Sequence, residues 1–415
     1  MTASQASADP PPSRRSGRFL PLSRVKRPRR HVGAASNDGV ASERRGLHWL
    51  AVAVPLVDVR AQYERLIPQI LERFQEVLES GTLILGPNVK AFEQEAAAYL
   101  GVPQTVGVAN GTDALVLVLD ALEIGAGDEV ICPSFTFYAT AEAIMRTGAT
   151  PVFADIDVAT LNLDPEDVAA KVTERTRAIM PVHLFGRPAE LEALAGLGVP
   201  VIEDAAQAFG AQGVATTGVA STFSFFPTKN LFALGDGGLV AATDEELADR
   251  VRMLRFHGSR DKKTFTYVGT NSRLDELQAA VLRLFLGELD GWNRARREAA
   301  ARYAELGLGE FCQLPEDEPG HVYHMYVVRS PERDRLAEAL SAAGIANASY
   351  YVTPTHLQPA LQRVAGAEQA LLPETELAAR ENLALPMWAG IPGEIQERVV
   401  SVVREASALA TLESR

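Results

Sequence analysis

Cysteine is nearly absent. The two in the chain, Cys132 and Cys312, cannot build a disulfide framework or a thiolate metal cluster, so a reducing, cytoplasmic setting is expected and no metal is assigned. Long apolar runs are missing too. The longest near the start, Trp49 to Val57, covers about nine residues where a membrane helix needs about 20, which excludes a membrane span there. No P-loop is present, Gly235, Gly237 and Gly238 do not match one, and no Gly-x-Gly-x-x-Gly opens a crossover unit. Internal repeats and heptads are likewise lacking. Positive charge is scarce outside one region: of a net charge of −13, residues 1–45 carry +7 and the remainder −20. So acidic a body repels polyphosphate surfaces, which argues against nucleic acid as the main partner while leaving room for one small anion in a local pocket.

What the chain does have is length and apolar content. Its 415 residues exceed what one core usually organises, and 47% hydrophobic against 22% charged residues suits a soluble globular protein. Residues 1–50, rich in Pro, Ser, Arg and Gly, lack periodic apolar positions and are expected to be a basic, disordered extension. Beyond them, short apolar runs at Thr105–Ala109, Glu129–Cys132, Pro151–Ala154, Ala178–His183, Val199–Ile202, Thr222–Phe226 and Leu239–Ala242 alternate with helical stretches such as Asp113–Leu122, Tyr138–Arg146, Pro165–Val172 and Asp244–Phe256. This predicts an α/β fold with a mainly parallel seven-stranded sheet covered by helices. After Arg273 the pattern turns helical through Leu274–Leu289 and Gly291–Leu306, then gives a strand at Val322–Arg329 and a helix at Pro331–Ala343. A large domain over 51–290 and a smaller C-terminal α+β domain over 291–415 are expected.

In an open parallel sheet, ligands gather beyond the carboxyl ends of the strands. Asn110-Gly111-Thr112-Asp113 follows the first run and opens a helix. Its backbone N–H groups, the helix dipole and the Thr112 hydroxyl could hold a phosphate, though the same residues also read as an ordinary capped helix start. Val199 to Ile202 delivers Glu203 and Asp204; Asp204 could serve a metal, a ribose, a protonated ring nitrogen or a helix cap, with Gln207 near the same ligand. Lys229 follows the strongly apolar Phe223-Ser224-Phe225-Phe226-Pro227. Desolvation there would lower its pKa and make the amine a nucleophile, whereas snorkelling to solvent is the plainer alternative. Taken together, a phosphate cradle, an acid for a ring nitrogen and a reactive lysine are the parts that pyridoxal phosphate requires.

The order and spacing of these parts resemble the DegT/DnrJ/EryC1/StrS family of sugar aminotransferases, within the fold-type I pyridoxal phosphate enzymes. The likeness runs from about residue 55 to about residue 400. It includes Ile84-Leu85-Gly86-Pro87, Asn110-Gly111-Thr112-Asp113-Ala114-Leu115, Gly127-Asp128-Glu129-Val130-Ile131, Pro181-Val182-His183-Leu184-Phe185-Gly186, Glu203-Asp204-Ala205-Ala206-Gln207, Pro227-Thr228-Lys229-Asn230 and Asn271-Ser272-Arg273-Leu274-Asp275. By that resemblance Lys229 carries the cofactor and acts as base and acid, Asp204 pairs with the ring nitrogen, and Gln207 contacts the ring hydroxyl. Gly111, Thr112 and Ser224 hold the phosphate, while Phe137 stacks on the ring unless it is simple core packing.

Asn271 would reach the phosphate of a neighbouring subunit, which implies a homodimer with shared sites, and Arg273 would bind the donor's carboxylate. His324, Tyr351 and His356 fall near positions that line the sugar site, with ordinary packing as the alternative. The implied activity is ping-pong, Schiff-base transfer of an amino group from an amino acid, in the family usually glutamate, to a nucleotide-linked keto-deoxysugar. The Asn271 to Ala280 stretch leans toward 3-keto sugars. Alternatives are a pyridoxal phosphate sugar dehydratase, disfavoured because Lys229 stands where those enzymes carry His, a ring-ketone aminotransferase, or a cofactor-binding regulatory protein without turnover. The connection between Gly210-Ala211 and Phe223 is a few residues shorter than the family leads one to expect, and Gly213 to Ser221 within it is rich in small residues.

Overall fold

The computed structural model describes residues 53–361, 364 and 370–413; the basic extension expected over residues 1–50 lies outside them. All seven apolar runs of the large sheet become strands: β1 Gln104–Val108, β2 Glu129–Pro133, β3 Thr150–Ala154, β4 Thr176–Ile179, β5 Ile202–Asp204, β6 Ala220–Ser224 and β7 Gly238–Ala242. They fall into a group β1-β7-β6-β5 and a group β3-β2-β4. Parallel bridges at Ile179–Val201 and Val182–Asp204 join the two, so β5 runs beside the extension of β4.

The sheet is mainly parallel with one reversal. β7 pairs antiparallel with both β1 and β6. The reason is local: the stretch between β6 and β7 contains no helix, and without a crossover helix the chain must return antiparallel. That stretch is the lysine turn, closed by hydrogen bonds from Phe225 N to Gly237 O and from Ala233 N to Phe225 O, both 2.8 Å.

Helix Gly111–Ala121 buries Ala114, Leu115, Leu117, Val118, Leu119 and Ala121, nearly its whole circumference, against the strands, which fixes its amino end at the carboxyl edge of β1. Behind the lysine turn, Phe225 meets Phe92 edge-on with centroids 5.4 Å apart, and Phe209 lies 4.8 Å from Phe223. Between Pro133 and the helix Ala139–Arg146 the chain carries Ser134 to Phe137 past the end of β2.

A separate apolar cluster forms from later residues. β8 Tyr326–Arg329 pairs antiparallel with β9 Asn382–Leu385, and helices Leu289–Glu305, Arg333–Ala342 and Gly393–Glu413 pack around them. The strand expected from Val322 starts only at Tyr326. At Tyr323 φ is +42°, which turns the backbone out of an extended path.

The motif Ile84 to Pro87 acquires its reason from Glu276, which is 1% exposed. Its Oε1 accepts from Val89 N and its Oε2 from Asn88 N, both at 2.9 Å, capping the helix Pro87–Leu100 from 187 residues away in sequence. A Cβ on Gly86 would lie 2.8 Å from the Glu276 carboxyl carbon, so glycine is required there. Asp155 acts similarly, accepting from Glu374 N and Thr375 N at the start of helix Pro373–Glu381. Because Glu276→Ala strands buried N–H donors, it should lower unfolding stability by about 3 kcal/mol in chemical denaturation.

Candidate active site

Residues at the carboxyl ends of β1, β2, β5 and β6 converge. At the end of β1, Asn110 caps the helix by accepting from Asp113 N at 2.8 Å, and among the described residues Gly111 N and Thr112 N have no backbone acceptor. These free donors and the helix dipole make an anion cradle. A Cβ on Gly111 would come 2.7 Å from Ser224 Cβ, so the cradle and the end of β6 touch. A Cβ on Gly238, the first residue of β7, would lie 2.4 Å from Asn110 O. Sequence reading placed Gly111, Thr112 and Ser224 on one ligand, and the fold brings all three to one corner.

Asp204 is 5% exposed at the end of β5. Its Oδ2 accepts from Thr140 Oγ1 at 2.9 Å and its Oδ1 from Ala206 N at 3.2 Å. Burial raises its pKa above the ordinary carboxylate value; the Thr140 hydroxyl, the Ala206 N–H and the nearby Lys229 charge hold the rise back. Lys229 is half-buried on its turn, and burial dominates at the amine: its pKa falls to about 8, with the opposing Asp204 charge limiting the fall. Such a lysine is a usable nucleophile and proton carrier near neutral pH.

Phe137 is 62% exposed beyond the end of β2, so it is not core packing. Gln207 is buried, with its Oε1 accepting from Phe185 N at 2.8 Å and its Nε2 donating to Tyr351 Oη at 3.3 Å. Tyr351, with φ +56°, stacks on Phe185 at 6.1 Å and meets Phe135 edge-on at 5.4 Å. The segment that brings Tyr351 in is latched to the end of β2: Thr355 N donates to Ser134 O at 3.0 Å, and Thr355 Oγ1 to Thr136 O at 3.3 Å.

His324 and His356 are both turned inward. His356 is 1% exposed and its Nδ1 lies 2.6 Å from Ser134 Oγ, beside the Phe153 ring. His324, also 1% exposed, lies close enough to Lys229 and Arg296 for both charges to add to the burial that pushes its pKa far below the usual histidine value, and neither ring nitrogen has a partner among the described residues. Arg296 holds its backbone, donating from Nη1 to the carbonyls of Tyr323 and His324 at 3.2 and 3.3 Å. Asn271 and Arg273 line a polar cleft of about 430 Å³ shared with Ala109 and Asn110. Arg273 has no carboxylate partner among the described residues; its guanidinium lies 5.9 Å from the centroid of the Phe256 ring.

Sequence reading missed three supports. Thr140 and Arg296 are two of them. The third is Glu203, which accepts from Ala215 N at 2.8 Å and Gly218 N at 2.9 Å and pairs with His183 Nε2 at 3.0 Å, with both side chains fully buried. His183 Nδ1 accepts from Ala189 N, so Nε2 carries the proton given to Glu203. The short loop at 213–218 is therefore pinned directly to β5.

The family model for the DegT/DnrJ/EryC1/StrS aminotransferases matches residues 65–404. The chain belongs to that family. It is 46% identical to a "Pleiotropic regulatory protein" of Geobacillus stearothermophilus, over 85% of this chain and 98% of that one. It is 45% identical to the UDP-N-acetyl-3-dehydro-alpha-D-glucosamine 3-aminotransferase of Acidithiobacillus ferrooxidans, over 85% and 97%. Among solved structures, DesV of S. venezuelae in complex with a ketimine intermediate superposes with a TM-score of 0.82 at 44% identity, covering 86% of this chain and 98% of that one. Like other DegT/DnrJ/EryC1/StrS members, this protein is a fold-type I, pyridoxal phosphate-dependent aminotransferase.

The residues present fit that cofactor: a tight anion corner, a lysine with no hydrogen-bond partner among the described residues and a buried acid stand at strand ends of one sheet. Among the described residues no cluster could hold a metal ion, and no helix is long and apolar enough to cross a membrane. With its pKa near 8, the Lys229 amine is protonated below that pH and free above it. Borohydride trapping of pyridoxal phosphate on cofactor-free protein, read by peptide mass spectrometry, should therefore label Lys229 increasingly as pH rises through about 8 and then level off. Lys229→Ala should abolish that label.

Proposed function

We propose that this aminotransferase moves an amino group from L-glutamate to the 3-keto carbon of a nucleotide-linked deoxysugar. The observation that carries the reading is the desolvated Lys229 amine opposite the buried Asp204, beneath an open rim. When bound, pyridoxal phosphate supplies an electron-withdrawing ring that stabilises negative charge developing at the donor's Cα. Gly111, Thr112 and Ser224 would hold its phosphate, Asp204 would pair with its ring nitrogen, Gln207 would serve its hydroxyl and Phe137 would pack on its ring. Lys229 takes the proton from the donor's Cα and returns it one position along.

Arg273, free of carboxylate partners among the described residues, takes the donor's carboxylate. Asn271 serves the phosphate of a second copy of the chain in a homodimer. Tyr351 and the latched segment bearing it face the sugar; His324 stands beside Lys229 below, and His356 holds the latch. The choice of a 3-keto acceptor is supported by the Acidithiobacillus relative, whose name places both the ketone and the new amine at C3.

The Geobacillus relative named as a regulatory protein favours a second reading, in which cofactor is bound without turnover. One experiment separates them. Glutamate added to the cofactor-loaded protein should bleach the visible absorbance of the lysine-bound cofactor and release 2-oxoglutarate. A panel of 3-keto and 4-keto nucleotide sugars should then restore it, with the 3-keto members faster. No response to glutamate would favour the regulatory reading.

A further inference from the structure

Among the described residues the Asp204 carboxylate meets two hydrogen-bond donors, the Ala206 N–H and the Thr140 hydroxyl, and the hydroxyl is the shorter contact. Thr140 is 1% exposed, on the first turn of helix Ala139–Arg146, and no backbone carbonyl claims its hydroxyl. Its oxygen lies 3.2 Å from Thr136 Oγ1. A hydroxyl has one proton. Since Thr140 gives its own to the Asp204 carboxylate, which can only accept while ionised, the Thr136 hydroxyl must be the donor in the second contact. The direction of the chain is thereby fixed: Thr136 to Thr140 to Asp204, each bond polarising the next. Thr136 is itself 2% exposed, and its carbonyl accepts from Thr355 Oγ1, so the latch of the 355–357 segment holds the residue that starts the chain.

We propose that Thr136 and Thr140 are positioning residues, a two-hydroxyl relay that aims the Asp204 carboxylate at the cofactor's ring nitrogen and keeps it ionised there. The inference rests on the assignment of Asp204 to that nitrogen made above. Burial works against the carboxylate charge and the nearby Lys229 charge opposes that effect, while the Nε2-protonated His183 and, on the covering segment, Tyr351 stand near. Hydrogen bonds donated to a charged group are the strong kind, so the loss of one should be measurable.

The test compares Thr140→Val, Thr140→Ser, Thr136→Val and Asp204→Asn with the parent, using pyridoxal phosphate binding by absorbance titration in the absence of any substrate. Thr140→Val should weaken binding about tenfold or more, the size expected for a bond to a charged acceptor. Thr140→Ser should restore parent affinity, and Thr136→Val should show a smaller loss. On acidification, cofactor loss should begin at higher pH in Thr140→Val than in the parent, because removing a donor to the ionised form raises the carboxyl pKa further. In the Asp204→Asn background Thr140→Val should cost much less, because the remaining acceptor is neutral.

Parent-like affinity and an unshifted acid limb in Thr140→Val would overturn the proposal. So would a Thr140→Ser variant as weak as Thr140→Val, or equal losses with and without the Asp204 carboxylate. If the parent binds the cofactor but Asp204→Asn is unchanged, the ring-nitrogen assignment itself fails, an outcome distinct from failure of the relay.

Discussion

One electrostatic constraint organises this protein: a buried carboxylate and a half-buried amine close enough to feel each other's charge must stay charged or reactive. Neither Asp204 nor Lys229 could be kept in that condition by its own segment. The acid needs donors brought from the end of β2 and from its own following turn. The lysine needs a turn rigid enough to hold it short of solvent, which the Phe225 hydrogen bonds and the aromatic packing behind them supply. The large sheet serves this purpose by ending β5 and β6 side by side, in register from Ile202 with Ala220 to Asp204 with Thr222.

Around that pair, long-range polar anchors set the geometry more than local propensity does. Glu203 pins the loop at 213–218, Glu276 caps a helix across the chain, and Arg296 holds the backbone of Tyr323 and His324 with no carboxylate partner among the described residues. Burial lowers the pKa of Arg296 to about 10, and its hydrogen bonds to two carbonyls and to Gln62 replace lost hydration. Each of these groups is costly to bury alone and becomes stabilising only once its partners are in place.

Much of this was legible in the sequence. The seven strands announce themselves as apolar runs, and Lys229, Asp204 and Gly111 stand at strand ends where chemistry is expected. The reversal of β7 was not read from the sequence, because the alternating strand and helix pattern elsewhere hides its one mark, the lack of a helix between Phe226 and Leu239. Thr140 was not legible as a partner of Asp204. A threonine at a helix start looks the same whether it faces solvent or a carboxylate 64 residues later. Its only signal is the four-residue spacing from Thr136, which puts two hydroxyls on one side as the chain enters the helix. The inward turn of His324 and His356 was equally hidden, since their depth is set by packing between distant segments.

The anion corner carries an evolutionary consequence. Gly111 and Gly238 each sit where even a methyl group would strike Ser224 or the Asn110 carbonyl. That end of the cleft leaves no room for a larger residue at either glycine. A change of acceptor in a descendant of this protein therefore has more freedom in the strap that carries Tyr351, held by side-chain contacts to Gln207, Phe135 and Phe185, than at these two glycines.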